Sequence, residues 1–494
     1  SFINLTHLSL FFAIIGFFIY TFIFNLKILF LFFIIKFIET KFPKISIWVI
    51  ASIATLTEIF NYQLFPWYYG NLLSGSDSLK QICAVFGIFG LSFISFLGAY
   101  ILLELLKLGK SKLEKPNEFS FFRKENILIL TTLTIIFVYG WLRVNFTIFP
   151  ETEFVNIGIV QPNTAIGLKE KKSDTEFVSR AYIKLARYSL KAIYDTKGLL
   201  DLLILPESAA PFYGTNNTLD NKMNNIYDPN FHAIIAFLAK TGKLDVLYNE
   251  MDMENGKIYN SASIFNYKGE RKDTYRKRRL VPLGEYLPSF LNIPILKDLF
   301  NEVSNYSKGD KPKLLEYSYH SRKEGVYLPP INEDTLSVLN DPNKILESWE
   351  FISTSPKGLL GVLICYEGLF TEDVLDYFEM EEKPDFFVNI VNDSWFGNYL
   401  ENYQHSDGAK IRAVETGRFF IRSTLGGVSS VTDPLGRKMF PDTKINTEEV
   451  LPVSIPRVVV STLYLKWGKG GILSVCFFAL FIFIIKNRKS IQKT

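Results

Sequence analysis

The chain has 494 residues, of which 48% are hydrophobic and 15% aromatic, and it carries a formal charge of +4. It is long enough for more than one domain and too apolar on average for an ordinary soluble protein. The small charge, with basic residues gathered beside apolar segments, calls for no nucleic-acid partner.

The apolar excess lies at the two ends. Windows of roughly 18 or more apolar residues read as transmembrane candidates, and they fall at 3–24, 26–42, 46–64, 82–106, 127–145 and 470–486. The first two form one block broken by Asn25 and Lys27, which fits a bent helix or a hairpin. The first residue is Ser1 rather than methionine, so a fragment lacking earlier spans is expected. No short apolar stretch with a cleavage site marks a removable signal peptide. The lysine-rich segments 107–126 and 486–494, with the KFPK turn at 41–44, belong on the cytoplasmic side. Residues 1–147 are then a transmembrane region, 148–465 a domain outside the cytoplasm, and 466–494 a final span with a cytoplasmic tail. Glu58 falls inside an apolar window, where an ionisable group is costly and faces protein or a cavity; a functional role and a helix–helix contact are both open. Trp67 in FPWYYG reads as an interfacial anchor.

Between 150 and 460 the pattern changes to short strands alternating with amphipathic helices. Strands fit 154–163, 198–208, 244–250, 261–269, 357–367, 385–393, 418–425 and 429–437. A helix fits 176–195, where Phe177, Ala181, Leu185, Tyr188, Leu190 and Ile193 recur at helical intervals. This alternation argues an α/β or layered α+β enzyme domain, with the polar segment 304–350 read as an insertion or long loop.

Sites in layered α/β domains collect where strands finish. Three strand ends carry reactive groups: Glu207 after LLILP, Cys365 after GLLGVLI, and Asn392 with Asp393 after FFVNIV. The loop TYRKRRLVPLGEYLP adds Lys277 and Glu285. Of three cysteines, Cys83 and Cys476 fall in predicted spans, so Cys365 has no disulfide partner in its own domain. It is either a small buried hydrophobe or a nucleophile. The sequence after it, YEGLFTEDVLDYF, is helix-like, which puts the sulfur at a strand-to-helix turn whose amides can stabilise an oxyanion. His232 and His320 show no partner pattern and His405 is a weak candidate, so a Cys–His enzyme has little support. Arg412, Glu415 and Arg418 at helical spacing read as a structural ion network, and 271–279 as a solvated basic run that also suits phospholipid head groups.

The succession LPES around Glu207, YRKRRLVPLGEYLP around Lys277 and LICYE around Cys365 resembles the Glu-Lys-Cys triad of the nitrilase (carbon–nitrogen hydrolase) superfamily, in the same order. The run NDSWFGNYLENYQHSDGAKIRAVETGRFFIRSTLGGVSSVTDPLGR at 392–437, with the membrane motifs at 48–73 and 86–93, is similar to its apolipoprotein N-acyltransferase branch. The resemblance covers about residue 46 to the C-terminus. It implies a multi-span α-helical membrane domain joined to an αββα sandwich. It also implies Cys365 as nucleophile, Glu207 as general base and Lys277 as the cation beside the oxyanion. Glu285, Tyr366 and Glu367 are implied as supporting or substrate-positioning residues. Trp395 lines an acyl pocket or belongs to a packed aromatic corner, and the aromatic segments 212–213 and 395–399 are candidate lids.

The implied partners are a phospholipid acyl donor, an apolipoprotein acceptor and the bacterial inner membrane, with the catalytic domain periplasmic. No metal or cofactor is implied, and a monomer is expected. A membrane-tethered amidase keeps the triad but needs no lipid entrance, and a receptor or transporter that only binds needs no triad. The chain departs from the family pattern at Leu205, where a tryptophan is common, and at Leu425 and Gly426, where asparagine and threonine are expected.

Overall fold

The computed structural model describes residues 14–18, 21–22, 25–42, 45–61, 63, 65–114, 123–150, 152–164, 175–210, 213–216, 226–282, 284–287, 305–326, 328, 355–396 and 400–491. Four longer helices precede the strands: α1 (Leu26–Lys41), α2 (Ile47–Phe60), α3 (Cys83–Glu114) and α4 (Lys124–Phe146). Helices α5 (Thr175–Asp195), α6 (Pro229–Gly242) and α7 (Glu401–Thr416) lie among the strands, and α8 (Gly470–Ile491) follows them.

Three of these are long and apolar enough to cross a membrane, at Cys83–Leu108, Lys124–Phe146 and Gly470–Arg488. Ile135, Leu142, Phe478 and Phe481 point outward from α4 and α8, as lipid-facing residues do. The span expected at 46–64 is shorter: α2 has 14 residues, which rise only about 21 Å. Ser46 caps it by accepting from Trp48 N, and the polar Asn61 and then Pro66 follow its end. Most of the candidate at 3–24 lies outside the described residues.

The strand-bearing domain is built on two sheets. Six strands run in the order β11-β1-β2-β3-β4-β5 and five in the order β10-β9-β8-β7-β6. In the first, β1 (Phe154–Gln161), β2 (Leu202–Ile204) and β3 (Asp245–Glu254) are parallel, while β4 (Lys257–Phe265), β5 (Arg271–Arg276) and β11 (Glu449–Pro456) are antiparallel additions. In the second, β7 (Lys357–Ile364), β8 (Phe386–Val391) and β9 (Phe419–Thr424) are parallel, flanked by β6 (Leu314–Ser318) and β10 (Ser430–Thr432).

Inner faces of both sheets meet in one core, where Val155, Ile157, Leu202 and Leu247 pack with Val362, Ile364, Val388 and Ile421. Leu185, Ile193, Ile235 and Leu238 of α5 and α6 cover the outer face of the first sheet. Ala413 of α7 joins the central core, while Ile411 and Val414 of the same helix pack against Cys83, Ile88 and Ile472 of the membrane helices. The expected αββα layering is therefore present, and one outer layer faces the membrane domain.

Polar contacts fix that seat. Lys80 Nζ donates to Gly436 O at 2.9 Å, Gln81 Nε2 to Leu435 O at 2.8 Å, and Arg437 to Val144 O at 3.1 Å. Two expectations need correction. The loop at 304–350 contains edge strand β6, and the basic run at 271–279 contains edge strand β5. On an edge, alternate side chains reach solvent while the backbone still pairs, so polar composition hides such strands.

Candidate active site

Strand β7 runs straight into a tight 3-10 turn, Cys365–Leu369, followed by the short helix Thr371–Leu375. This is the strand-to-helix turn expected, with less helix than the sequence suggested. Cys365 itself has φ +57°, a left-handed conformation that non-glycine residues hold only when the surroundings impose it. Two contacts impose it here: Asn389 Nδ2 donates to Cys365 O at 2.9 Å, and Glu367 accepts from Ile364 N at 2.7 Å.

Beside the half-buried Cys365 sits an ion cluster. Lys277 Nζ lies 3.3 Å from Glu207 Oε1 and 2.9 Å from Glu285 Oε1. Asn260 donates to both carboxylates, at 3.0 and 2.8 Å. Glu207 Oε2 also accepts from Asn392 N at 3.0 Å, just beyond β8. Lys277 follows β5, and its amide bonds Asn260 O at 2.8 Å, so the loop after the edge strand is held inward. Burial alone would lower the Lys277 ammonium, but Glu207 and Glu285 outweigh it and hold it well above its ordinary value. Burial, then the charge of Glu207, pushes the Cys365 thiol well up, opposed by Lys277. A thiol held up in this way acts as a nucleophile only with a base beside it.

Tyr366 is buried, with its hydroxyl on Leu280 O at 2.6 Å and its ring centroid 5.8 Å from Lys277 Nζ. On its other side is Phe65 of the membrane domain, at 5.7 Å between ring centroids. Phe65 is carried by the segment after α2, and here Glu58 finds its role. It accepts from Tyr69 N at 2.6 Å and pairs at 3.4 Å with Lys27, which donates to Trp67 O at 2.7 Å. Glu58 thus fastens this segment within the protein, and Trp67 remains 44% exposed, as an interfacial anchor would be.

Glu367 bonds groups outside the cluster. Besides Ile364 N it accepts from Arg278 N at 2.6 Å, Arg279 N at 3.0 Å and Tyr275 Oη, so it ties the residue before Cys365 to those after Lys277. His405 on α7 is buried 2.9 Å from Asp393 Oδ1, and Asp393 also pairs with Arg422 at 2.6 Å. Burial and Arg422 lower His405, while Arg422 and His405 overcome burial to hold Asp393 at about 2. Of the ion network expected on α7, Arg412 and Glu415 pair at 3.1 Å, but Arg418 lies past the helix end at Gly417 and bonds Pro384 O.

Trp395 lies in the turn Asp393–Phe396, and its side chain, like residues 212 and 397–399 of the candidate lids, is outside the described residues. Leu205 and Leu425 are fully buried in the core between α5, α6 and the first sheet. No group of residues suited to a metal occurs among the described residues.

Residues 158–463 match the carbon–nitrogen hydrolase family. Over 494 residues the chain is 34% identical to apolipoprotein N-acyltransferase 1 of Leptospira interrogans, covering 97% of this chain and 83% of that one. The chain belongs to the apolipoprotein N-acyltransferase family of carbon–nitrogen hydrolases. It is also 27% identical over 408 residues to apolipoprotein N-acyltransferase of Haemophilus influenzae, covering 79% of this chain and 65% of that one. Among solved structures, an amidase of the nitrilase superfamily from Nesterenkonia is similar at 14% identity and a TM-score of 0.40, covering 65% of this chain and 96% of that one.

The structure of this carbon–nitrogen hydrolase brings Glu207, Lys277, Glu285, Cys365 and Tyr366 to one place and sets Glu367 behind them. Sequence reasoning missed Asn260, which bridges the two carboxylates, and Asn389, which holds the carbonyl of Cys365. An asparagine inside a strand carries no spacing signal. Only an expectation that buried polar groups must be partnered would have drawn attention to them.

Proposed function

We propose that this protein moves an acyl chain from a phospholipid to the N-terminal amine of a diacylglyceryl-cysteine on an apolipoprotein, through a thioester on Cys365. The observation that carries this reading is the convergence of Glu207, Lys277 and Cys365 at strand ends, beside a tyrosine that touches the membrane domain.

In the first step Glu207 takes the thiol proton as Sγ attacks the ester carbonyl carbon. Lys277 and amides of the nucleophile turn face the developing oxyanion. Collapse breaks the acyl C–O bond, Glu207 returns the proton to the departing oxygen, and a lysophospholipid leaves. In the second step the acceptor's α-amine attacks the thioester, Glu207 takes the amine proton, and the C–S bond breaks to restore the thiol with that proton. Glu285 and Asn260 keep Lys277 and Glu207 apart at a fixed spacing, and Tyr366 walls the acyl side. On this reading residues 148–465 form a periplasmic catalytic domain, and the chain works as a monomer in the bacterial inner membrane without metal or cofactor.

The test uses the chain in detergent with a phospholipid bearing a labelled acyl group. A covalent, hydroxylamine-sensitive adduct on wild type that is absent from Cys365→Ala is expected, and a diacylated lipopeptide should discharge the label to its amine. An equal adduct on Cys365→Ala sinks the intermediate. Release of free acid in place of the N-acyl product points to a tethered amidase.

A further inference from the structure

Membrane helix α3 is broken near its start. Gly87 has φ +64°, and a Cβ there would lie 2.4 Å from the ring of Tyr464, so only glycine fits. The break turns the next amide outward, and Ile88 N donates to Glu415 Oε1 of α7 at 2.8 Å. The other oxygen of Glu415 accepts from Thr371 Oγ1 at 2.9 Å, and Thr371 begins the short helix after the nucleophile turn. Tyr464 Oη is 3.2 Å from the same hydroxyl. Arg412 pairs with Glu415 at 3.1 Å and donates to Leu369 O, the last residue of that turn, at 3.3 Å.

All but Leu369 are buried: Arg412 and Glu415 are each 1% exposed, and Thr371, Tyr464 and Ile88 are fully covered. Taking two charges out of water costs several kcal/mol per ion, and a well-packed apolar pair of similar volume is often at least as stable. What a guanidinium–carboxylate pair adds is direction, because its donors and acceptors meet in fixed planes. Here the directed contacts run without a gap from a membrane-helix amide to the last carbonyl of the turn that carries Cys365.

We propose that Glu415 and Arg412 are positioning residues that set the nucleophile turn against the broken membrane helix, so that the reactivity of Cys365 depends on how the strand-bearing domain is seated on α3. The inference rests on reading Cys365 as the nucleophile. It adds that the sandwich alone does not hold the sulfur in register with Lys277 and Glu207.

The experiment compares full-length wild type, Glu415→Gln, Thr371→Val, Arg412→Met and Arg412→Lys in detergent. Three quantities are read: kcat and KM for thioester formation from a labelled phospholipid, the rate at which iodoacetamide alkylates Cys365 as followed by peptide mass spectrometry, and the melting midpoint. Displacement of a reacting group by an ångström costs on the order of 100-fold. Glu415→Gln and Arg412→Met should therefore lower kcat by about tenfold or more, with KM within about twofold. Thr371→Val, which removes one buried hydroxyl, should lower kcat by about threefold along with a modest fall in its midpoint, and Arg412→Lys should recover part of the Arg412→Met loss. Alkylation should slow in the same order.

Unchanged kcat and alkylation in Thr371→Val and Glu415→Gln, even with a lower midpoint, would make the pair a stabiliser only and overturn the proposal. Should Glu415→Gln fail to fold, Thr371→Val decides alone. A wild type that forms no thioester refutes the acyl-transfer reading, while the alkylation order still decides this proposal.

Discussion

Glu367→Gln changes one atom of a fully buried side chain and tests whether the carboxylate sets the distance between Cys365 and Lys277. Oε1 of Glu367 accepts from Arg278 N and Arg279 N, and Oε2 accepts from Ile364 N. Glutamine keeps the shape but turns one acceptor into an amide NH2. Facing Oε2's place it opposes Ile364 N; facing Oε1's place it opposes both arginine amides. One side of the bridge must open in either orientation. A buried donor left unmet costs about 1–3 kcal/mol, and because the bridge joins the residue before Cys365 to those after Lys277, the strain falls on the reacting pair. Expressed in the barrier, that range lowers thioester formation by about 5- to 150-fold. Single-turnover acylation with a labelled phospholipid, run above pH 8 where Glu367 is ionised, gives the rate, and its dependence on lipid concentration separates binding. A folded Glu367→Gln protein that acylates within about twofold of wild type would refute the bridging argument.

The same residue predicts a pH dependence. Burial, with Asp373 nearby, raises Glu367 from 4.5 to about 7, partly opposed by the amides it accepts from. A raised folded-state value gives stability that is full below about 4.5 and lost as pH climbs through about 7, here on the order of 3 kcal/mol. Melting midpoints in detergent should fall between pH 5 and 8, and Glu367→Gln should flatten that slope; equal slopes would contradict the assignment. Lys277→Met strands the buried carboxylate of Glu207 and the partly buried one of Glu285, so acylation should drop at least about 1,000-fold and stability by about 3–5 kcal/mol, read by the adduct assay and by denaturation. For the Lys27–Glu58 pair, Lys27→Met or Glu58→Gln alone should cost about 3–5 kcal/mol, while the double variant should recover most of it. Additive losses in the midpoint would show that the two do not interact.

The central strands were legible because they are continuous apolar runs: GLLGVLI and FFVNIV can only be buried, and β7 and β8 occupy those residues. The edge strands were not, since β5 reads RKDTYR and β6 reads LLEYS, with polar side chains turned to solvent. That Glu207, Lys277 and Cys365 come together was legible because strand ends and chain order mark them. Asn260 and Asn389 escaped because their importance lies in partners from other strands, a long-range fact. Window length overestimated α2, since the window 46–64 tolerates the polar Ser46, Asn61 and Gln63, while the helix runs only from its cap at Ser46 to Phe60.

That shortness of α2 bears on depth. Fourteen residues rise about 21 Å, against about 30 Å of hydrocarbon. On the proposed orientation the segment from Phe65 to Gly70 therefore ends below the outer head groups. Non-helical backbone is tolerated at that level only when its polar groups are met, and Tyr69 N and Gly70 N are taken by Glu58 and Ser92. Phe65 then brings the floor of the site, at Tyr366, down toward the glycerol layer where lipid esters lie. Drawing a 16-carbon chain into water costs on the order of 12 kcal/mol, at about 0.8 per methylene. A donor that offers its ester while its tails stay in oil never meets that cost.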